Sequence, residues 1–344
     1  MIGEQQLRVL ERRTLPVLQL ALRRVRGRRS PFQMTLSLTN RCNFKCDYCD
    51  IPLQRRDELD TAEWCRMIDE FVEGGMGRAS LIGGEPLLRQ DAGAIIAHLK
   101  SRGVHTAMNT NGWFVEERIE EVAGLDLVCI TLDGPAEVHD GQRRRGSYDR
   151  AVRAIELLVA RGVRVVTMTV LTPRGAEAID QVLDDARRLA VDAFFQLEHD
   201  KTVDVMAPIA PRLRDERIVE IARTLLARKD AGAPVGNSRA ILEQHVTRGR
   251  YLGTCEDCYA GQYYGYVLSD GTVAPCLLTQ WQQETGNGRK HGYLRAFQQM
   301  AAPEGPGCSC VPTHQVNQVL DFRLDVLWDA FGLALGRRAA ATAG

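Results

Sequence analysis

The 344-residue sequence lacks three things, each of which would have placed it in a class. It has no run of eighteen or more apolar residues, so nothing in it reads as a membrane-spanning helix. The opening MIGEQQLRVL shows neither the apolar core nor the small-residue cleavage site of a secretory signal, and the expectation is a cytoplasmic protein. Charge of one sign is not in excess either. Lysine plus arginine and aspartate plus glutamate number 44 each, so no nucleic-acid partner is expected. What remains is an ordinary globular balance, 44% hydrophobic and 26% charged, with length for one large α/β domain and a smaller one.

Cysteine, by contrast, is plentiful. Ten cysteines in a reducing compartment are more often metal ligands than disulfides. Three lie at 42–49 and five at 255–310, while Cys65 and Cys129 stand alone and read as buried packing residues. Arginine is concentrated too: eight occur in residues 1–30, among Leu and Val at helical spacing, and Pro31 closes the segment. Two readings stay open for this stretch. It is a helix laid on the domain with solvated arginines, or it contacts an anionic substrate or a membrane surface, making the protein peripheral there.

Short apolar runs at 34–39, 79–82, 104–110, 126–133, 163–171 and 193–198 read as strands. Helical patterns separate them over 61–74, around Ile95–Leu99, near 115–123, near 148–161 and over 176–189. Six strand–helix units give a parallel sheet with right-handed crossovers, two units short of a closed barrel. The expected fold is therefore α/β, a partial (βα)6 barrel. A helix over 213–229 follows, and Ala231 to Pro234 breaks it. Residues 255–310 change character, with a hairpin (YYGYVLSDGTVAPC) turning at Asp270-Gly271. An amphipathic helix near 316–335 and an alanine-rich tail end the chain. The expected division is an N-terminal helix at 1–30, the barrel at 31–235, a cysteine-rich unit at 236–315, and a helix and tail at 316–344.

Chemistry enters directly after the first strand. In Thr39-Asn40-Arg41-Cys42-Asn43-Phe44-Lys45-Cys46-Asp47-Tyr48-Cys49, cysteines spaced by three and then two residues let one loop wrap three corners of a cubane. A tetrahedral zinc would want a fourth ligand, and no Cys or His follows before Cys65. Three thiolates leave one iron of a [4Fe–4S] cluster open to a ligand. This spacing, with Tyr48 just before the last cysteine, resembles the signature of the radical SAM superfamily.

The resemblance implies that the open iron chelates the methionine moiety of S-adenosylmethionine (SAM), whose reductive cleavage releases a 5′-deoxyadenosyl radical. It also implies an electron donor such as flavodoxin or ferredoxin. Gly83-Gly84-Glu85-Pro86 resembles the family's GGEP motif, which hydrogen-bonds the SAM amino group; glycines there let backbone approach a ligand. Thr110-Asn111-Gly112 and Thr131-Leu132-Asp133-Gly134-Pro135 resemble segments lining the mouth of the site, with Asp133 or Thr131 near the ribose. Thr167 and Thr169, and Gln196 and Glu198, face either SAM and substrate or polar packing in the barrel. Phe44 and Tyr48 shield the cluster or simply pack. The stretch His139-Asp140 with Arg143, Arg144 and Arg145 resembles one found in the branch that modifies peptides and cofactors; a solvated loop is the plainer reading. His139, Arg144 and Glu198 are the catalytic candidates.

Cys258 through Gly271 to Cys276 resembles the hairpin of SPASM and twitch domains, C-terminal extensions that bind auxiliary iron–sulfur clusters. The count fits one auxiliary cluster. Cys258 and Cys276 are the first-choice ligands, and Cys255, Cys308 and Cys310 compete for the remaining corners. A structural zinc would suit four thiolates as well. For substrate, a small molecule such as a sugar or cofactor precursor is expected, because no peptide-recognition domain is seen ahead of the barrel. The alternatives are maturation of a ribosomal peptide and modification of a lipid. A zinc-stabilised binding protein is a distant third class.

Overall fold

The computed structural model describes residues 27, 29–197, 213–253, 258–276, 286–301, 303 and 308–321. Six parallel strands lie side by side in chain order: β1 (Gln33–Thr39), β2 (Arg78–Gly83), β3 (His105–Thr110), β4 (Leu127–Thr131), β5 (Val165–Leu171) and β6 (Asp192–Leu197). Each is followed by helix, the pattern of an open (βα)6 barrel. The sheet does not stop at β1. β7 (Tyr264–Val267) pairs parallel to it, and β8 (Thr272–Ala274) and β9 (Gly286–Asn287) continue antiparallel. The cysteine-rich hairpin thus extends the barrel's own sheet, with Gly271 (φ +83°) in its turn.

Local signals account for the first helix, Thr61–Gly74. The Asp60 carboxylate accepts from the Glu63 backbone N–H at 2.7 Å, and Glu63 accepts from that of Asp60 at 2.9 Å. Gly75 (φ +104°) ends it in a left-handed turn. Trp64, Met67, Ile68 and Phe71 form its buried stripe, and the Phe71 ring meets Tyr293 and Phe297 edge-on at 6.4 and 6.3 Å.

Two expected helices are shorter. The one near 115–123 is helical only over Ile119–Val122, because Asn111 Oδ1 accepts from the Trp113 N–H at 3.0 Å and a chain of turns follows. The one over 176–189 is split into Pro173–Ala176 and Ile179–Arg188, the first capped by Thr172 through the Gly175 N–H.

Alternation along the strands separates two faces. Met34, Leu36, Leu81, Met108, Val128 and Ile130 point into the core beneath the helices. Thr35, Ser80, Ala107, Asn109, Thr131 and Met168 point the other way, line the concave side, and are less buried.

This parity settles the two threonines of β5. Thr167 and Thr169 share the face of Val165 and Leu171, so they look into the helix layer and not toward SAM; Thr169 Oγ1 donates to the Leu132 carbonyl at 2.7 Å. Cys129 is buried, as expected, on the concave face two residues below Thr131. Cys65, expected to be buried, is only half-buried, off the inner stripe of its helix.

The helix expected at 213–229 is Asp215–Asp230. Of the segment 1–30, residues 1–26 and 28 lie outside the described residues, as does the expected chain end beyond 321. A helix at Val311–Leu320 is described. No helix among the described residues is long and apolar enough to cross a membrane.

Phe71→Ala should cost about 3–5 kcal/mol, because it leaves a cavity between the first helix and the rings of Tyr293 and Phe297. Urea unfolding of the purified protein measures this, and a loss under 1 kcal/mol (on the order of a surface change) would contradict the packing.

Candidate active site and second thiol site

The first cysteine loop is zipped to the end of β2. The Gly84 N–H donates to the Thr39 carbonyl at 2.7 Å, and the Glu85 N–H to that of Arg41 at 2.9 Å. A Cβ on Gly83 (φ +149°) would stand 2.3 Å from the Thr39 oxygen, and one on Gly84 2.2 Å from the Arg41 oxygen. Glycine here therefore lets the chain's own loop close on the strand. Pro86 opens a short 3-10 turn behind them, Pro86–Leu88.

The Glu85 side chain is wholly buried and turned inward. It accepts from Thr110 Oγ1 (2.8 Å), the Asn111 N–H (2.8 Å) and the Leu87 N–H (3.1 Å). Burial raises its carboxyl above the usual range although these donors pull it down. Asn111 returns to the loop, its Nδ2 donating to Asn43 Oδ1 at 2.9 Å and lying 4.0 Å from Cys42 Sγ.

Burial pushes the Cys46 thiol up to about 12 and raises Cys42 and Cys49 as well. Thiols so placed become thiolates only with positive charge at hand, which bound iron supplies. A cubane takes each thiolate on a different iron, so three cysteine thiols on one loop, with no fourth, suit the donor set of a cluster with one open iron.

Asp133 anchors the far side of the loop. Its carboxylate, wholly buried, accepts from Tyr48 OH (2.6 Å), Arg143 Nε (2.6 Å) and the Val170 N–H (2.9 Å). Burial alone would raise this carboxyl, but Arg143, His139 and the two donated hydrogen bonds hold it below its ordinary value. Arg143 also donates to Tyr48 OH, and burial above all raises the Tyr48 phenol. The Asp133 N–H donates to His139 Nδ1 at 3.1 Å, which fixes the proton of the neutral ring on Nε2. Nε2 has no partner, and burial, helped by Arg143, depresses His139 to about 4. His139 is thus a buried strut, not a group at the site's mouth.

Arg144 is exposed and stacks on Trp113 (4.0 Å to the ring centre) while donating to the Asn43 carbonyl at 3.2 Å. Trp113 in turn meets Phe44 edge-on at 5.7 Å. Glu198 lies outside the described residues.

The second thiol group is held between Tyr264 on β7 and Gln196 on β6, the edge strand of the sheet. Cys258, Cys276 and Cys308 are buried and Cys310 half-buried; Cys255 lies outside the described residues. Gln196 ties this group to β6, donating to the Ser309 carbonyl (2.8 Å) and accepting from the Val311 N–H (2.7 Å). Its amide is therefore committed to the cysteine segment. Burial raises Cys308 and Cys310. The hairpin turn is strapped to the first loop: Ser269 Oγ donates to Asn40 Oδ1 at 3.1 Å, and Arg56 pairs with Asp270 at 2.6 Å.

Residues 36–186 match the Radical SAM superfamily model. The barrel carries a radical SAM domain. A cysteine-rich region follows it. The chain is 34% identical over 182 residues to "Mycofactocin maturase MftC" of Mycobacterium tuberculosis, covering 51% of this chain and 46% of that protein. It is 34% identical over 162 residues to "PqqA peptide cyclase" of Methylocella silvestris, covering 45% and 43%. It thus spans under half the length of both. Its fold resembles that of Streptococcus suis SuiB bound to S-adenosylmethionine, with TM-score 0.67, 15% identity and coverage of 82% of this chain and 69% of that one.

Sequence reasoning missed Trp113 and Arg89. Arg89 is buried and donates to the Leu38 and Leu59 carbonyls (3.1 and 3.0 Å) while paired with Asp91. Its place three residues after Pro86 of the GGEP turn, two before Asp91, was the available signal.

His139 sets a pH dependence. Its folded pKa of about 4 lies below the unfolded 6.5, so the unfolded chain binds the extra proton between these values. Stability is then full above the unfolded value and falls as pH drops from 6.5 toward 4, by roughly 3 kcal/mol at most. In His139→Asn the loss over that window should shrink, leaving the smaller share of His245, which burial also lowers. Thermal melts from pH 7.5 to 4.5 that lose stability equally in both proteins would disprove it.

Proposed function

We propose that the enzyme modifies a peptide, with Cys42, Cys46 and Cys49 ligating the SAM cluster. The observation that carries this reading is the concave face described above, set against relatives named as a peptide cyclase and a mycofactocin maturase. These relatives favour a peptide over the small-molecule substrate expected from the sequence. On this reading the enzyme acts in the cytoplasm and draws electrons from a small donor protein such as flavodoxin or ferredoxin. Membrane contact through residues 1–30 remains part of the proposal only for the segment's arginines.

The chain's own residues have distinct tasks in this scheme. Bound together, reduced cluster and SAM supply a 5′-deoxyadenosyl radical that removes a hydrogen atom from the substrate. Gly83 to Pro86 present backbone beside the cluster loop, while Glu85 locks that backbone to Thr110 and Asn111. Asp133, Tyr48 and Arg143 hold the opposite flank. Thr131 and Asn109 offer polar contacts on the concave face, and Met168 an apolar one. Phe44, Trp113 and Arg144 cover the loop from outside, as exclusion of water from a radical site demands. Residues 236–315 form the auxiliary unit, with Cys258, Cys276, Cys308 and Cys310 as its described ligand candidates.

Anaerobically reconstituted enzyme given dithionite and SAM should form 5′-deoxyadenosine, and Cys46→Ala should abolish this. A short peptide encoded beside the gene should raise the rate and change in mass. Turnover of a sugar or cofactor precursor with no response to such peptides would return the small-molecule reading. A folded protein that holds zinc and never cleaves SAM would refute both.

A further inference from the structure

Among the described residues, the second thiol site has hydrogen-bond donors on two elements, β7 and the helix Val311–Leu320. Tyr264 on β7 places its hydroxyl 2.9 Å from Cys258 Sγ. Asn317, on the helix Val311–Leu320, points Nδ2 at the same sulfur from 3.5 Å. Tyr264 OH also lies 3.0 Å from Asn317 Oδ1, which accepts in addition from the Tyr259 N–H at 3.2 Å. Tyr264 is 4% and Asn317 5% exposed, so water does not compete for these groups. Thr313, one turn earlier on the same helix, directs its hydroxyl and backbone N–H to Cys310.

The arrangement has a direction. While Cys258 is a thiol, three hydrogen bonds run in a ring: S–H to Tyr264 oxygen, Tyr264 O–H to Asn317 Oδ1, and Asn317 N–H to sulfur. A thiolate bound to iron has no proton to give. The Tyr264 proton must then turn from Asn317 to the sulfur, and Cys258 receives two donors at once. Hydrogen bonds to ligand sulfur stabilise the more negative, reduced cluster and raise its potential.

We propose that Tyr264 and Asn317 are positioning residues that raise the reduction potential of an auxiliary iron–sulfur cluster ligated by Cys258, making its oxidised form the better one-electron acceptor. This rests on the reading of residues 236–315 as an auxiliary-cluster unit. It assigns a role to two residues outside the cysteine motif. Around the first loop the described donors to sulfur are the Phe44 N–H, 3.4 Å from Cys42 Sγ, the Ile51 N–H on Cys49 and the distant Asn111 amide, none of them a hydroxyl.

The test uses the full chain carrying Cys42→Ala, Cys46→Ala and Cys49→Ala, so that only the auxiliary cluster is loaded. Iron and sulfide content comes first: if this protein binds no cluster, the auxiliary-unit reading fails, and the tuning proposal falls with it. If a cluster is present, its midpoint potential is measured by redox titration with EPR detection. Tyr264→Phe and Asn317→Leu, each added to this background, should keep the iron content and lower the midpoint, and the pair together should lower it further. An unchanged or raised midpoint with full iron content would overturn the tuning role while leaving the cluster reading intact. Loss of iron from both variants would overturn it too, since the residues would then serve assembly. Loss from one leaves the other's midpoint to decide.

Discussion

The Asp133 carboxylate is the interaction on which the first site depends. A carboxylate with no exposure is tolerable only with full compensation, and it has that from Arg143, Tyr48 and the Val170 backbone. These partners come from three places: the cysteine loop, the segment after the His139 helix, and β5. One buried charge thus fixes the distance between the first cysteine loop and the sheet. Removing either ion alone would leave the other buried and unpaired, so the pair is maintained as a unit. The glycines at 83 and 84 do the same on the other flank without charge, by close backbone contact.

The second site follows a related logic but with neutral groups. Gln196 uses both ends of one amide to seat the Cys308–Cys310 segment on β6, and β7 carries the opposite wall. The cysteine-rich region is therefore part of the barrel's closure and not an appendage. Its hairpin turn touches the first loop through Ser269 and Asn40, so the two thiol sites share a frame.

Much of this was legible from sequence because it is local. The Asp60–Glu63 cap, the Gly75 stop and the six strand periods are read from neighbours in the chain, and the strands lie within two residues of expectation. The cysteine spacing and the GGEP turn are local as well. What was missed depends on parity or on distant partners. Thr169 was placed on the wrong face because β5 inverts the usual alternation, with Thr167 and Thr169 on the buried side and Met168 and Val170 half-buried on the other. His139 looked like a catalytic candidate and Arg143 like a solvated loop residue, since nothing near them in sequence shows that Asp133 awaits them inside. Trp113 and Arg144 meet across the mouth from different segments, a contact that no spacing rule encodes.

The Gln196 seat also has a bearing on how the chain is made. β6 is complete once residue 197 has been synthesised, yet Ser309, which caps its outer end, follows Gln196 by 113 residues. The earlier half of β6 is covered sooner, by Val235 and by Asn237 on Phe195. During vectorial synthesis the nascent barrel therefore carries its first cysteine loop complete while the gap beside β6 is still unfilled. The order of translation sets an order of closure, with the lateral wall arriving last.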